Sequence, residues 1–186
     1  MIRDGLMKEK FKSVLPYIGL PFIITALLIV YVRRMDVYVI FQSGLIIVFG
    51  YTAAVFDIKA KHIPNGLILI MLAVWVVIAV PELFFNISAA LPQLISSIAG
   101  FAVGGALFLA VYLISRKGLG GGDVKFIAAA GLYLGFSGTL TAILYGPVLC
   151  LIIGLVLLLL KKIGRRDKMP LAPFLYTGIL ITIFFR

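Results

Sequence analysis

The stretch GLGGGDVK, Gly118 to Lys125, lies between two long apolar segments of the chain. It contains four glycines in eight residues, together with one acid, Asp123, and one base, Lys125. Glycine weakens helices, and a carboxylate is costly near lipid. The stretch therefore indicates a break between spans, and it raises the question of why a carboxylate is kept there.

The rest of the chain is strongly apolar. Of its 186 residues, 63% are hydrophobic and 13% are charged, whereas an ordinary soluble domain is about 45–50% apolar. Apolar runs of about 18 or more residues recur, and each is long enough to cross a bilayer. We therefore expect an all-α, polytopic transmembrane helical bundle without a separate soluble domain.

The apolar runs predict about seven membrane spans. They cover residues 14–32, 37–56, 66–85, 89–115, 125–137, 139–160 and 171–185. The fifth span is short and contains glycine, so we expect neighbouring helices to bury it. Residues 1–36 are expected to form a basic N-terminal segment with one additional, retained helix, and residues 37–186 are expected to form the core of the protein.

The net charge of +10 is best explained by membrane topology. Nucleic-acid binding is not indicated, because the basic residues lie in short loops between apolar segments. If the N-terminus is cytoplasmic, fourteen of the seventeen lysines and arginines lie on the cytoplasmic side, an asymmetry that sets orientation. We therefore predict a multi-pass cell-membrane protein in contact with lipid, with the loops 57–65, 116–125 and 161–170 at the cytoplasmic face.

The sequence does not indicate a metal site or a catalytic nucleophile activated by histidine. Cys150 and His62 are the only cysteine and the only histidine, so no multi-cysteine or multi-histidine metal site can form. We interpret Cys150 as a small buried apolar residue and His62 as a loop residue at the membrane interface. No nucleophile motif accompanies the histidine. We expect no metal and no cofactor.

Two of the seven acids, Asp57 and Asp123, lie where a predicted span meets a predicted cytoplasmic loop. The topology therefore places both carboxylates at one membrane face. Two adjacent carboxylates cannot both ionise cheaply and tend to share a proton, so one can act as a base on water and the other as an acid on a carbonyl. On these facts alone, two independent interfacial acids beside Lys59 and Lys125 remain an alternative.

Residues that shape the backbone accompany both acids. Pro64 ends the preceding helix, and Asn65 is predicted to cap the next one, so that Asp57 opens a short, defined loop. The glycines at 118 and 120–122 can take positive φ and let another chain approach closely. These features favour a site that receives an extended peptide.

Two segments resemble the signature motifs of the type IV prepilin peptidases, which are membrane aspartyl proteases of the G-x-G-D type. They are FDIKAKHIPN, residues 56–65, and GLGGGDVKFIAAAGLYLG, residues 118–135. A third match is MPLAPFLYTG, residues 169–178, in which Ala172 stands where glycine is more usual. The resemblance covers about residues 37–186. It implies six core spans, so the first helix would be an addition.

The resemblance implies a function for each matching residue. Asp57 and Asp123 match the catalytic pair, Gly120 and Gly122 match the motif glycines, and Lys125 would hold the loop by ion pairing or contact an acidic substrate residue. The implied substrates are prepilins, pseudopilins or archaellin-like precursors of pili and secretion systems. Cleavage would fall at the cytoplasmic face, after a short basic leader ending in glycine and before an apolar helix.

The resemblance also bears on whether the chain carries a second, methyltransferase activity. Many bacterial relatives carry an extra cytoplasmic domain with cysteines that methylates the new N-terminus. This chain has one cysteine and no matching segment. The resemblance therefore implies a stand-alone peptidase.

Two other functions stay open. A presenilin-like intramembrane protease shares the second motif, although the I-P-N loop at residues 63–65 argues against it. A non-enzymatic transporter or scaffold would use the acids structurally, although carboxylates at one face are less suited to a pathway across the membrane. The sequence leaves open the oligomeric state and which aspartate is the base.

Overall fold

The computed structural model describes residues 37–115, 119–161 and 169–185, and these residues form a helical bundle. Its five helices are α1 Val37–Ala60, α2 Asn65–Phe85, α3 Ile87–Ile114, α4 Gly121–Leu159 and α5 Ala172–Phe185. The first four are long and apolar enough to cross a membrane, and α5 is a shorter apolar helix. The expected all-α class is confirmed, whereas the predicted span at 14–32 lies outside the described residues.

Helix α4 is interrupted at Gly135, whose φ of 70° and ψ of −178° are not helical. A Cβ added to Gly104 would lie 3.1 Å from both the Ile127 carbonyl oxygen and Thr139 Cγ2. Along an unbroken helix, residues 127 and 139 would be about 18 Å apart. The chain therefore turns back at Gly135, and α4 consists of a first arm, residues 121–134, and a second arm, residues 136–159.

The first arm of α4 is buried by its neighbours, as the short fifth span predicts. Every residue from 126 to 135 is buried. Gly131 meets the backbone of α3 at Gly100, and a side chain on either glycine would collide with the other helix. Small residues permit such close packing in membranes, where van der Waals contact drives helix association.

Two buried hydrogen bonds fix the first arm against α2. The indole N–H of Trp75 donates to the Leu132 carbonyl at 2.9 Å, and the Tyr133 hydroxyl donates to the Met71 carbonyl at 2.6 Å. Each such bond contributes about 1 kcal/mol, and a buried partner left without one costs more. The arm that begins beside Asp123 is therefore held at a defined depth and rotation.

Helices α1 and α5 also pack closely. A Cβ on Gly50 would lie 2.8 Å from Tyr176 Cδ2, so the tyrosine ring occupies the space that the glycine leaves. Two turns after Gly50, α1 reaches Asp57. One turn before Tyr176, α5 begins at Ala172. The last turn of α1 thereby meets Ala172 at the start of α5.

The helix boundaries correct two expectations. Helix α1 continues to Ala60 and not to residue 56, so Asp57 lies in the last helical turn and not in a loop. The prediction that Asn65 caps α2 is wrong. Pro64 occupies the cap position with an extended backbone, φ −63° and ψ 136°, and no side chain caps the helix. Asn65 is the first helical residue, which frees its side chain for another contact.

Candidate active site

Asp57 lies in the last turn of α1, and its side chain is only 6% exposed. Its Oδ2 accepts a hydrogen bond of 2.9 Å from the backbone N–H of Ala172. The backbone N–H of Leu171 is close enough to stabilise the same carboxylate. Such donors replace the water that burial removes, and without them a buried carboxylate would be costly.

Asp123 lies in the first turn of α4 and is 7% exposed. The backbone N–H of Gly120 is close enough to stabilise its carboxylate. Its Oδ1 is buried, and within the described part of the chain no group forms a hydrogen bond with it. This oxygen is therefore available to a reacting group.

The structure brings Asp57 and Asp123 to the same end of the bundle, and the two carboxylates are close enough to interact electrostatically. The packing of α5 on α1 places the first, and the packing of the buried arm on α2 and α3 places the second. Because the two ionised carboxylates repel each other, protonation of one of them is favoured.

The absence of a side chain at Gly120 and Gly122 makes room for two neighbouring side chains, those of Asp123 and Ile63. A Cβ on Gly120 would lie 2.7 Å from Asp123 Oδ2, and one on Gly122 would lie 3.2 Å from Ile63 Cβ. Among the described glycines, positive φ occurs at Gly135 alone. The expectation of positive φ at 120–122 is therefore wrong, and the glycines are needed because other groups approach their Cα atoms closely.

Lys125 joins the two motifs. Its Nζ donates a hydrogen bond of 3.0 Å to the side-chain oxygen of Asn65. The resemblance implies an ion pair or a contact with a substrate acid for Lys125, and its partner within the described residues is a neutral side chain of the first motif. Ile63, which is 2% exposed, packs against Gly122 in the same region. Together these contacts tie the loop after α1 to the start of α4.

The start of α5 is the part of the site that sequence reasoning did not assign. The prolines at 170 and 173 mark a stiff segment in the third motif. That its N–H groups reach Asp57 depends on how α1 and α5 pack, which the sequence does not specify. Ala172 is fully buried at this contact.

An apolar groove of about 570 Å³ opens beside the second motif, between α2, α3 and the first arm of α4. Large side chains such as Leu72, Phe101 and Leu109 line it together with small ones. Asn65 and Lys125 provide its polar end. The groove therefore runs from the motif residues into the apolar part of the bundle.

Among the described residues, the remaining polar groups add no metal site. His62 is exposed in the loop after α1, and Cys150 is a free, half-buried thiol in the second arm of α4. Within 37–115, 119–161 and 169–185, no three His, Cys, Asp or Glu side chains are grouped so that they could hold a metal ion. The acid–base groups placed together here are the two carboxylates.

The fold and the site define a helical membrane protein with a buried pair of aspartates. The sequence profile of the type IV leader peptidase family matches residues 44–155, a range that contains both aspartates and the loops 57–65 and 116–125. The chain therefore belongs to the type IV leader peptidase family and is a multi-pass membrane protein.

Several curated proteins are similar to this chain. The prepilin leader peptidase/N-methyltransferase of Bacillus subtilis (strain 168) is 30% identical over 148 residues, covering 79% of this chain and 54% of that protein. The protein of the same name from Burkholderia pseudomallei (strain 1026b) is 29% identical over 143 residues, covering 74% and 45%. The chain thus spans about half the length of the curated relatives it matches. No solved structure matches it.

Proposed function

We propose that this chain is a membrane aspartyl endopeptidase that removes the leader from prepilin-like precursors. The observation that carries the proposal is the buried pair of Asp57 and Asp123, which lies at one end of the bundle within the two matching motifs. Membership of the leader peptidase family supports the same activity.

The mechanism follows from the chemistry of the pair. One aspartate takes a proton from water as the water oxygen attacks the scissile carbonyl, and the other donates a hydrogen bond to the developing oxyanion. The water oxygen stays in the new carboxylate, and the proton passes to the leaving amine. Lys125 and Asn65 hold the two motifs together during this step.

The proposed substrates are prepilins, pseudopilins or archaellin-like precursors, in which a short basic leader precedes an apolar helix. The apolar groove lies beside the second motif, so it offers a surface for the first turns of that helix after the scissile bond. The polar end at Lys125 would then lie level with the cleavage site. This arrangement matches the order of basic leader, cleavage site and apolar segment.

Cleavage of a defined precursor tests the proposal. The purified full chain in detergent, mixed with a prepilin, should release two products whose masses fix one cut after the glycine that ends the leader. A precursor with leucine in place of that glycine is the control and should be cut far more slowly. Several cuts within the apolar segment would contradict the proposal and indicate an intramembrane protease instead.

We further propose that the site faces the cytoplasm and that the two arms of α4 are separate spans of a six-span core. The positive-inside bias of the loops supports this orientation.

In a variant without Cys150, a cysteine in place of Lys61 should be protected from an impermeant thiol reagent in intact cells. A cysteine in place of Asn86, which is exposed at the other end of α2, should be labelled. The reverse pattern would contradict the orientation.

A further inference from the structure

We infer that the start of α5 holds the Asp57 carboxylate through backbone N–H groups that favour its ionised form over that of Asp123, so that Asp57 is the base of the pair and Asp123 the acid. The assignment of catalytic roles rests on the proposed function. The hold on Asp57 does not, and it can be tested without a substrate.

The hydrogen bonding of the two carboxylates is unequal. Asp57 receives the N–H of Ala172 at 2.9 Å, and the N–H of Leu171 lies close by. These N–H groups belong to the start of α5, where the helix dipole adds partial positive charge. Donors to a carboxylate favour its ionised form. Asp123 also lies at a helix start, and the N–H of Gly120 lies close to its carboxylate, yet its buried Oδ1 has no donor within the described part of the chain.

Within residues 37–115, 119–161 and 169–185, the charged side chains that act on Asp57 are those of Lys61 and Asp123. Burial opposes ionisation of Asp57, whereas Lys61, one turn further along the chain, favours it. Asp123 faces it from α4 and opposes ionisation of both groups at once. In the described residues of α5, no charged side chain faces Asp57, so the start of that helix acts through its backbone. The proton that the pair shares is therefore directed to Asp123.

The position of Ala172 in α5 allows its backbone N–H to be removed by a substitution. The N–H groups of Phe174 and Leu175 donate to the Leu171 carbonyl at 3.0 and 3.1 Å, so Leu171 caps the helix and Ala172 is its first residue. The N–H of a first helical residue has no acceptor within its own helix. Proline is well tolerated at this position because its fixed φ suits the helix. Ala172→Pro should therefore delete the donor and keep α5.

The first readout is the protonation of Asp57 itself. In an Asp123→Asn background, infrared titration of isotope-labelled aspartate follows Asp57 as the remaining buried carboxylate of the pair. Ala172→Pro should move its protonation to higher pH by about one to two units, because a hydrogen bond to a charged group is lost. Ala172→Gly keeps the N–H and should titrate like its parent. An unchanged titration in Ala172→Pro would overturn the inference.

The second readout is catalysis. With Asp123 intact, Ala172→Pro should lower kcat about 10- to 100-fold with little change in KM, and the acidic limb of the pH–rate profile should move to higher pH. Ile87→Pro places proline at the first residue of α3, at the other end of the bundle, and should leave cleavage within about twofold. A lower kcat with an unmoved acidic limb would show a merely structural effect and overturn the inference.

If the proline variant does not fold, a backbone ester at position 172 tests the same hydrogen bond. Replacing Ala172 by lactic acid exchanges the N–H for an oxygen and keeps the side chain. The same shift of the infrared titration is expected, and its absence would overturn the hold on Asp57. If the wild-type chain cleaves no precursor, the proposed function fails, while the titration still tests the hydrogen bond.

Discussion

Replacing either Asp57 or Asp123 with asparagine should abolish precursor cleavage while the protein stays inserted in the membrane. Asparagine keeps nearly the size of aspartate and part of its hydrogen bonding, but it cannot take up or release the catalytic proton. We expect a loss in rate of at least about 10³-fold for each variant. A gel shift of a prepilin, confirmed by product mass, measures the rate in membranes that contain equal amounts of each protein.

Glu82→Gln is the matched control for these two variants. Besides Asp57 and Asp123, Glu82 is the remaining acid in the described part of the chain, and it lies near the end of α2 that is remote from the site. The same exchange of carboxyl for amide there should leave the rate within about twofold, since surface substitutions usually have small effects. Near-normal cleavage by Asp57→Asn or Asp123→Asn would refute the catalytic pair.

Gly120→Ala should lower kcat about 100-fold without lowering the melting temperature. The new Cβ would lie 2.7 Å from Asp123 Oδ2, so the carboxylate must move. The clash is with the end of a side chain that can rotate, which makes it cheap for the fold. The reaction is less tolerant, because a misplacement of about 1 Å can cost about 10²-fold in rate.

Gly121→Ala is the control that separates this effect from a general need for glycine. A Cβ on Gly121 would meet no atom within 4 Å. Alanine also suits a helix better than glycine by about 1 kcal/mol, so the variant should be as stable as the wild type or more so. If Gly120→Ala kept full activity, Asp123 would not require the position described for it.

Much of this architecture could be predicted from the sequence because it follows from hydrophobic length. Apolar runs of membrane-spanning length predict α2 and α3 to within two residues at either end. The glycines of the short fifth span predict a buried helix, and the buried residues 126–135 confirm it. The predicted break between 125–137 and 139–160 lies three residues after the interruption of α4 at Gly135.

What could not be predicted depends on side chains and backbone groups that meet across the bundle. Asn65 suits a helix cap by its chemistry, yet its partner is Lys125, sixty residues away in sequence. Ala172 looks like a mild departure from a motif, yet its N–H binds Asp57. Propensity describes a residue and its neighbours in sequence, whereas these contacts are set by helix packing. The two motifs can be recognised from sequence, but the contacts that hold them together cannot.

The most direct test of the account is the rate of the double variant Asp57→Asn with Asp123→Asn, compared with each single variant in long incubations followed by product mass. If the carboxylates act as one unit, removing the second should cost almost nothing more, because residues that act together are strongly non-additive. We therefore predict three residual rates that agree within about threefold. A double variant whose loss equals the product of the two single losses would show two independent acids and contradict the account.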